Sequence, residues 1–92
     1  MDVYKFNIKG KVQGVFYRKS IQQIASIGQI PGYIRNLKDG SVEVVAALHE
    51  DQLNDFLTIL NNGSPLSNVE KIEYKIVEDD DDIIYDGFEI RY

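Results

Sequence analysis

The chain has 92 residues, no cysteine, one histidine and a net charge of −5. We expect residues 1–92 to form one domain, because a second domain would have no core of its own. The lack of cysteine excludes disulfides, thiolate nucleophiles and thiolate metal sites, and one histidine cannot form a cluster of metal ligands. An acidic chain is also a poor candidate for binding the long phosphate backbone of a nucleic acid. The longest apolar run is far too short to span a membrane.

A half-buried strand is predicted at the start of the chain, because "VYKFNIK" (3–9) alternates apolar and polar residues. From about Arg18 to Ile27 the apolar residues take helical spacing, and Gly28 is a typical C-terminal stop for a helix. Residues 10–17 are therefore predicted to form a loop that joins a strand to a helix.

A β-hairpin is predicted next. Two runs rich in β-forming residues, 30–38 and 41–49, are separated by Asp39-Gly40, which is a strong signal for a hairpin turn. Residues 50–62 then carry leucine and phenylalanine on one helical stripe and two acids in the first turn. That pattern predicts a second amphipathic helix.

Two further strands complete the predicted fold. Residues 68–77 alternate, which predicts that Ile72, Tyr74 and Ile76 face inward, and residues 86–92 form a short final strand. This order of elements predicts an α+β, ferredoxin-like βαββαβ sandwich. Its antiparallel sheet carries two helices on one face and a short C-terminal fifth strand.

The loop "GKVQGVFYR" (10–18) is the first candidate for a functional site. Backbone N–H groups in a strand-to-helix loop can converge at the helix N-terminus and bind an anion. Gly10 and Gly14 permit positive φ angles and close approach of a ligand. Arg18 offers a planar fork that matches phosphate oxygens. The alternative is an ordinary turn followed by a solvent-facing arginine.

Asn36 is the second candidate. It shares a strand face with Ile34, so it points inward near the end of its strand if Ile34 belongs to the core. A neutral amide in that position is either a satisfied buried polar group or a group that orients a ligand or a water molecule.

The two stretches "GKVQGVFYR" (10–18) and "GYIRNLKDGSV" (32–42) together resemble the two signatures of the acylphosphatase family, and the resemblance extends to the ending "GFEIRY" (87–92). It implies an enzyme that hydrolyses the carboxyl–phosphate bond of acyl phosphates. It also implies that Arg18 and the loop amides hold the phosphoryl oxygens while Asn36 positions the attacking water. The loop residues are Gln13, Gly14, Val15, Phe16, Tyr17 and Arg18.

The implied chemistry needs no cofactor and no metal ion. These site residues include no histidine, cysteine or carboxylate, so they offer no obvious general base or nucleophile. A substrate phosphate oxygen can take the proton of the water, and Arg18 with the amides can neutralise the developing charge. We expect a cytoplasmic monomer whose ligands are a small acyl phosphate and inorganic phosphate, with no nucleic acid or membrane partner.

Two residues depart from the family pattern. Leu48 replaces a glycine that normally follows the third strand, and Pro31 before the second motif is unusual. The departure at Leu48 bears on the end of that strand and the start of the second helix rather than on the phosphate site.

Four other features have simpler interpretations. The acidic run Asp79–Asp82 lacks the spacing of a calcium loop and is interpreted as a solvated loop. We interpret His49 as an exposed residue at a strand end, and Arg35 as a surface charge near the site. Ser20 is either a helix-surface serine or a residue that pins the loop by a hydrogen bond.

The competing functional hypothesis is a non-catalytic ferredoxin-like module that binds an anion or a small ligand, because this fold serves many functions. An RNA platform would need exposed aromatic residues and basic surroundings on the sheet. The outward strand residues are instead mixed in charge. Release of phosphate from benzoyl phosphate distinguishes an enzyme from a binding module.

Overall fold

A computed structural model describes residues 1–77 and 87–92. The predicted order of elements is confirmed, and most boundaries fall within two residues of those expected. The acidic run Asp79–Asp82 lies outside the described residues. The elements are β1 (Asp2–Lys11), α1 (Tyr17–Ile27), β2 (Gly32–Asn36), β3 (Val42–Leu48), a 3-10 turn (Glu50–Gln52), α2 (Leu53–Asn62), β4 (Asn68–Val77) and β5 (Phe88–Arg91).

The strands form a five-stranded sheet in the order β4-β1-β3-β2-β5. The first four strands pair antiparallel, which confirms the ferredoxin-like arrangement. The expectation of a purely antiparallel sheet is wrong at its edge, because β5 pairs parallel to β2. The sheet is therefore mixed, and β5 runs toward the same end of the sheet as β2.

Both helices pack on one face of the sheet. The core lies between Phe6 and Val44 on the central strands, Ile21 on α1 and Phe56 on α2, all of which are buried. Phe6 and Phe56 pack with their ring centroids 5.3 Å apart, which joins the sheet to α2. Leu48 is also fully buried in this core, so the departure from the family pattern fills space at the end of β3.

The prediction for β4 holds for the direction of its side chains and fails for their burial. Tyr74 and Ile76 pair with Phe6 and Tyr4 of β1 and so point to the helix side of the sheet. Tyr74 is nevertheless 48% exposed and Ile76 is 60% exposed. Because β4 is an edge strand, the two helices do not cover its outer half.

The two helix ends differ from expectation in detail. Gly28 follows α1, as predicted, but it has a right-handed conformation, and the left-handed residue is Gln29 (φ 57°). Gln29 and Ile30 donate to the carbonyls of Ser26 and Ala25, which is the bond pattern of a Schellman motif. His49 is exposed, as predicted, and caps the 3-10 turn that precedes α2.

In the described part of the chain, no helix has the length and apolar character needed to cross a membrane.

Candidate active site

The loop between β1 and α1 is held in an uncommon backbone conformation. Gly14 and Phe16 both have left-handed φ angles, 71° and 61°. Phe16 is the N-cap of α1, and its carbonyl accepts the first helical bond, from the Ser20 amide at 3.0 Å. The amides of the preceding helical residues, beginning with Tyr17, have no partner within the helix. The loop therefore directs several N–H donors outward at the positive end of the helix dipole, where an anion is stabilised.

The loop is tied to the β2–β3 hairpin by the Gln13 side chain. Its Nε2 donates to the carbonyls of Leu37 and Ser41, both at 2.8 Å. The sequence interpretation used only the backbone amide of Gln13, so this side-chain role was missed. The two bonds hold the loop against the turn that directly follows Asn36.

Arg18 is half-buried in the first turn of α1 and reaches the end of the chain. Its Nη1 donates to the Arg91 carbonyl at 3.4 Å, and its guanidinium carbon lies 4.9 Å from the centre of the Tyr92 ring. A cation over an aromatic face is held in place without using its N–H donors. The long bond to Arg91 uses one of five donors, so the rest of the fork is available to an anion.

Asn36 is the last residue of β2 and lies opposite Val42. Its Oδ1 is fully buried and has no hydrogen-bond partner among the described residues. Buried amide oxygens are almost always paired, because an unpaired one costs about 1–3 kcal/mol. Of the two interpretations of this residue, the satisfied structural group therefore does not fit its Oδ1.

The fold brings Arg18 and Asn36 to one end of the sheet. Arg35 pairs in register with Arg91, so Asn36 follows at the level of Tyr92, the residue against which the Arg18 guanidinium packs. The bonds from Gln13 to the hairpin bring the loop to the same end. A cation, a set of amides and an unpaired amide oxygen thus converge outside the carboxyl ends of β2 and β5.

The turn that follows α2 holds the loop between β1 and α1 in place. The buried Ser64 hydroxyl donates to the Val15 carbonyl at 2.6 Å, and the Ser20 hydroxyl donates to the Gly63 carbonyl at 3.1 Å. The Ser20 bond joins α1 to this turn and does not reach the loop itself, so Ser20 is neither a plain helix-surface serine nor a direct pin of the loop. Sequence reasoning missed Ser64, because a serine after a glycine at a helix end carries no signal of a contact 49 residues away.

The Tyr17 side chain is structural. Its hydroxyl donates to the Leu60 carbonyl at 2.6 Å, and burial raises the pKa of this hydroxyl above its usual range. Tyr17 can therefore contribute to an anion site only through its backbone amide. Val15 is likewise buried in the core, whereas the Phe16 side chain is 76% exposed.

Arg35 is exposed, as predicted, but it lies on the side of the sheet opposite to Asn36. Its Nε is 2.6 Å from Oε2 of the buried Glu43, and the other carboxylate oxygen is 3.2 Å from Lys5. Burial raises the pKa of Glu43, but hydrogen bonds from Arg35 and Lys5 outweigh that effect and hold the pKa below its usual value. This ion-pair network stabilises the sheet and does not face the loop.

Comparison with known proteins identifies the family of the chain. The acylphosphatase family model matches residues 4–90. An acylphosphatase of Borrelia garinii subsp. bavariensis is 38% identical over 89 residues, which is 96% of each chain. One from Rhizorhabdus wittichii is 40% identical and covers 91% of this chain and 82% of its own.

A solved structure shows the same fold over the full length. The crystal structure of acylphosphatase from Bacillus subtilis superposes with a TM-score of 0.89 and 33% identity, and all of both chains is covered. The family that the two sequence motifs predicted is therefore confirmed, and this chain belongs to the acylphosphatase family.

Proposed function

We propose a residue-level mechanism for the acylphosphatase activity that the chain shares with its family. Arg18 and the backbone amides of residues 13–18 bind the phosphoryl group of an acyl phosphate. Asn36 orients the water that attacks phosphorus. The products are a carboxylate and inorganic phosphate.

One observation carries this proposal: the buried Oδ1 of Asn36 has no partner in the described part of the chain, and it lies at the same end of the sheet as Arg18. Once a small rotation of the half-buried Asn36 side chain exposes this oxygen, it accepts a hydrogen bond from a water molecule that enters with the substrate. A water molecule bound there has one O–H fixed by Oδ1, and its lone pair is free to face the phosphoryl group. Phosphoryl transfer depends mainly on such in-line positioning and on charge stabilisation.

The proton of the water goes to a phosphoryl oxygen of the substrate. The groups assigned to the site are the Arg18 guanidinium, the backbone amides and the Asn36 amide, and none of these groups accepts a proton near neutral pH. A carboxylate is a good leaving group and departs without protonation by the protein. The Arg18 guanidinium and the amide dipoles stabilise the negative charge that develops on the phosphoryl oxygens.

The experiment separates binding from water positioning. Arg18→Ala should weaken inhibition by inorganic phosphate about tenfold to a hundredfold for each charge-assisted bond lost, and turnover of benzoyl phosphate should fall with it. Arg18→Lys should recover little, because a point charge cannot replace a planar fork. Asn36→Ala should leave the phosphate inhibition constant nearly unchanged while kcat falls by orders of magnitude, since its contact forms mainly in the transition state.

Lys19→Ala is a matched control, because it removes an exposed cation next to Arg18 that is not part of the proposed site. It should change both constants less than threefold at physiological salt. Normal turnover in Asn36→Ala would remove the water-positioning role. Phosphate binding without any hydrolysis in the unmodified protein would favour the non-catalytic module instead.

We also propose that the enzyme acts as a cytoplasmic monomer. The absence of cysteine is compatible with a reducing compartment. Light scattering after size-exclusion chromatography, over a range of protein concentrations, tests the oligomeric state. A dimer that persists on dilution would contradict it.

A further inference from the structure

We propose that Ser64 is a positioning residue that fixes the direction of the Phe16 amide in the phosphate-binding loop. This inference rests on the proposed binding of phosphate by the loop amides. Ser64 lies far from the loop in sequence, on the turn that follows α2, and it does not touch the substrate. It acts through one peptide unit.

The contact is short and buried. Ser64 is 5% exposed, and its hydroxyl donates to the Val15 carbonyl at 2.6 Å. The Val15 carbonyl and the Phe16 N–H belong to the same planar peptide unit, and in a trans unit they point in opposite directions. Because the carbonyl is directed at the turn below the loop, the Phe16 N–H is directed to the opposite side, away from the turn.

Without this bond, we expect the peptide unit between Val15 and Phe16 to flip. Phe16 has a φ of 61°, a conformation that residues other than glycine, asparagine and aspartate rarely adopt. A flip of the unit would bring φ to about −120° while ψ stays at 19°, which is close to the bridge region and removes the cost of the positive φ. The flipped unit would present the Val15 carbonyl, instead of the Phe16 N–H, to an incoming anion. The hydroxyl of Ser64 opposes this flip.

The donor itself is held rigidly. Ser67 Oγ accepts from the Ser64 amide and donates to the Ser64 carbonyl, both at 2.9 Å. The preceding Gly63 has a left-handed φ of 53°, and a Cβ at this position would lie 2.7 Å from the Tyr17 ring. Only glycine therefore lets the turn approach the first turn of α1 closely enough for Ser64 to reach the loop.

Ser64→Ala is the main test, and Ser20→Ala is its control. Both changes remove one hydroxyl bond between the loop region and the turn, but the Ser20 bond goes to Gly63 and does not hold the peptide unit of Val15 and Phe16. In Ser64→Ala the inhibition constant for inorganic phosphate should rise, and kcat/KM for benzoyl phosphate should fall, by about tenfold or more. In Ser20→Ala both constants should change less than threefold.

An amide spectrum gives a readout that a loss of stability alone would not produce. In the unmodified protein, titration with inorganic phosphate should shift the 15N–1H resonance of Phe16 together with that of Arg18. In Ser64→Ala the Phe16 shift should disappear while the Arg18 shift remains. If Ser64→Ala fails to fold, Ser64→Cys keeps a small side chain with a weak donor, and its phosphate inhibition constant should lie above that of the unmodified protein.

Two negative outcomes are distinguishable. If Arg18→Ala loses phosphate binding but Ser64→Ala and Ser64→Cys behave like the unmodified protein, the role of Ser64 is overturned and the phosphate-binding loop stands. If phosphate shifts no amide of residues 13–18 in the unmodified protein, the phosphate-binding loop fails and the role of Ser64 fails with it.

Discussion

Asn36→Ala should stabilise the protein while it lowers kcat by orders of magnitude. The Oδ1 of Asn36 is buried without a partner among the described residues, a state that costs about 1–3 kcal/mol. Alanine removes that oxygen and loses in return the packing of a short, half-buried side chain at the end of β2. We expect a net gain of about 1 kcal/mol in the free energy of unfolding, which corresponds to a rise in Tm of about 4–8 °C for a domain of this size.

The matched control is Asn7→Ala. Asn7 is also a half-buried asparagine on a strand, but its amide donates to the Ser41 hydroxyl at 3.0 Å. Loss of that satisfied bond should lower the free energy of unfolding by about 1 kcal/mol. Urea denaturation followed by circular dichroism measures both variants. If Asn36→Ala is less stable than the unmodified protein by as much as Asn7→Ala, the Asn36 amide is a structural group and the reasoning is refuted.

Three other predictions test separate parts of the structure. Hydrolysis of benzoyl phosphate should persist in excess EDTA, since the proposed mechanism neutralises charge with Arg18 and amides; activity that is lost and then returns with Mg²⁺ would contradict it. Gln29→Gly should raise the free energy of unfolding by about 1 kcal/mol, because glycine adopts the left-handed φ of 57° without the cost borne by glutamine, and an unchanged urea midpoint would exclude this. Glu43 has a lowered pKa, so its stabilising contribution is present above its unfolded pKa of about 4.3 and is lost as the pH falls through its lower folded pKa. Glu43→Gln should therefore cost about 1.5–3 kcal/mol at pH 7, and the difference from the unmodified protein should shrink steadily below pH 4 in urea titrations.

Local patterns predicted the elements because neighbouring residues determine them. The Asp39-Gly40 pair marks the hairpin, and its Gly40 has a φ of 92° that favours glycine. The alternation over residues 68–77 predicted both ends of β4 correctly. The parallel pairing of β5 with β2 was not predictable in the same way, since the choice of neighbour in a sheet depends on contacts distant in sequence.

The burial of β4 shows the same limit. Alternation determines which face a side chain occupies, and the pairing of Tyr74 with Phe6 confirms that face. How much of the face is covered depends on the reach of the helices, which alternation does not encode. Tyr74 is consequently half exposed at an edge that its pattern alone would place in the core.

The proposed site was predictable to the extent that its groups lie within two short motifs. Arg18 and Asn36 belong to these motifs, and the structure places them at one end of the sheet. The supporting contacts are not in the motifs. The Gln13 bonds to the hairpin and the Ser64 bond to Val15 span 24, 28 and 49 residues of sequence, and a residue's type does not reveal such a partner.

Two of the described residues other than glycine, Phe16 and Gln29, have left-handed φ angles, and different causes explain them. Gln29 is left-handed because it closes α1, where two backbone bonds of a Schellman motif satisfy the last carbonyls of the helix. Phe16 is left-handed at the start of α1, where an N-cap residue normally lies in the β region and its side chain caps the first amides. Phe16 makes no such side-chain bond, and its ring is exposed. Helix capping therefore explains the strain at Gln29 and not at Phe16. Strain that the local fold does not require tends to persist where it serves a site, and at Phe16 it leaves the first amides of the helix open to a ligand.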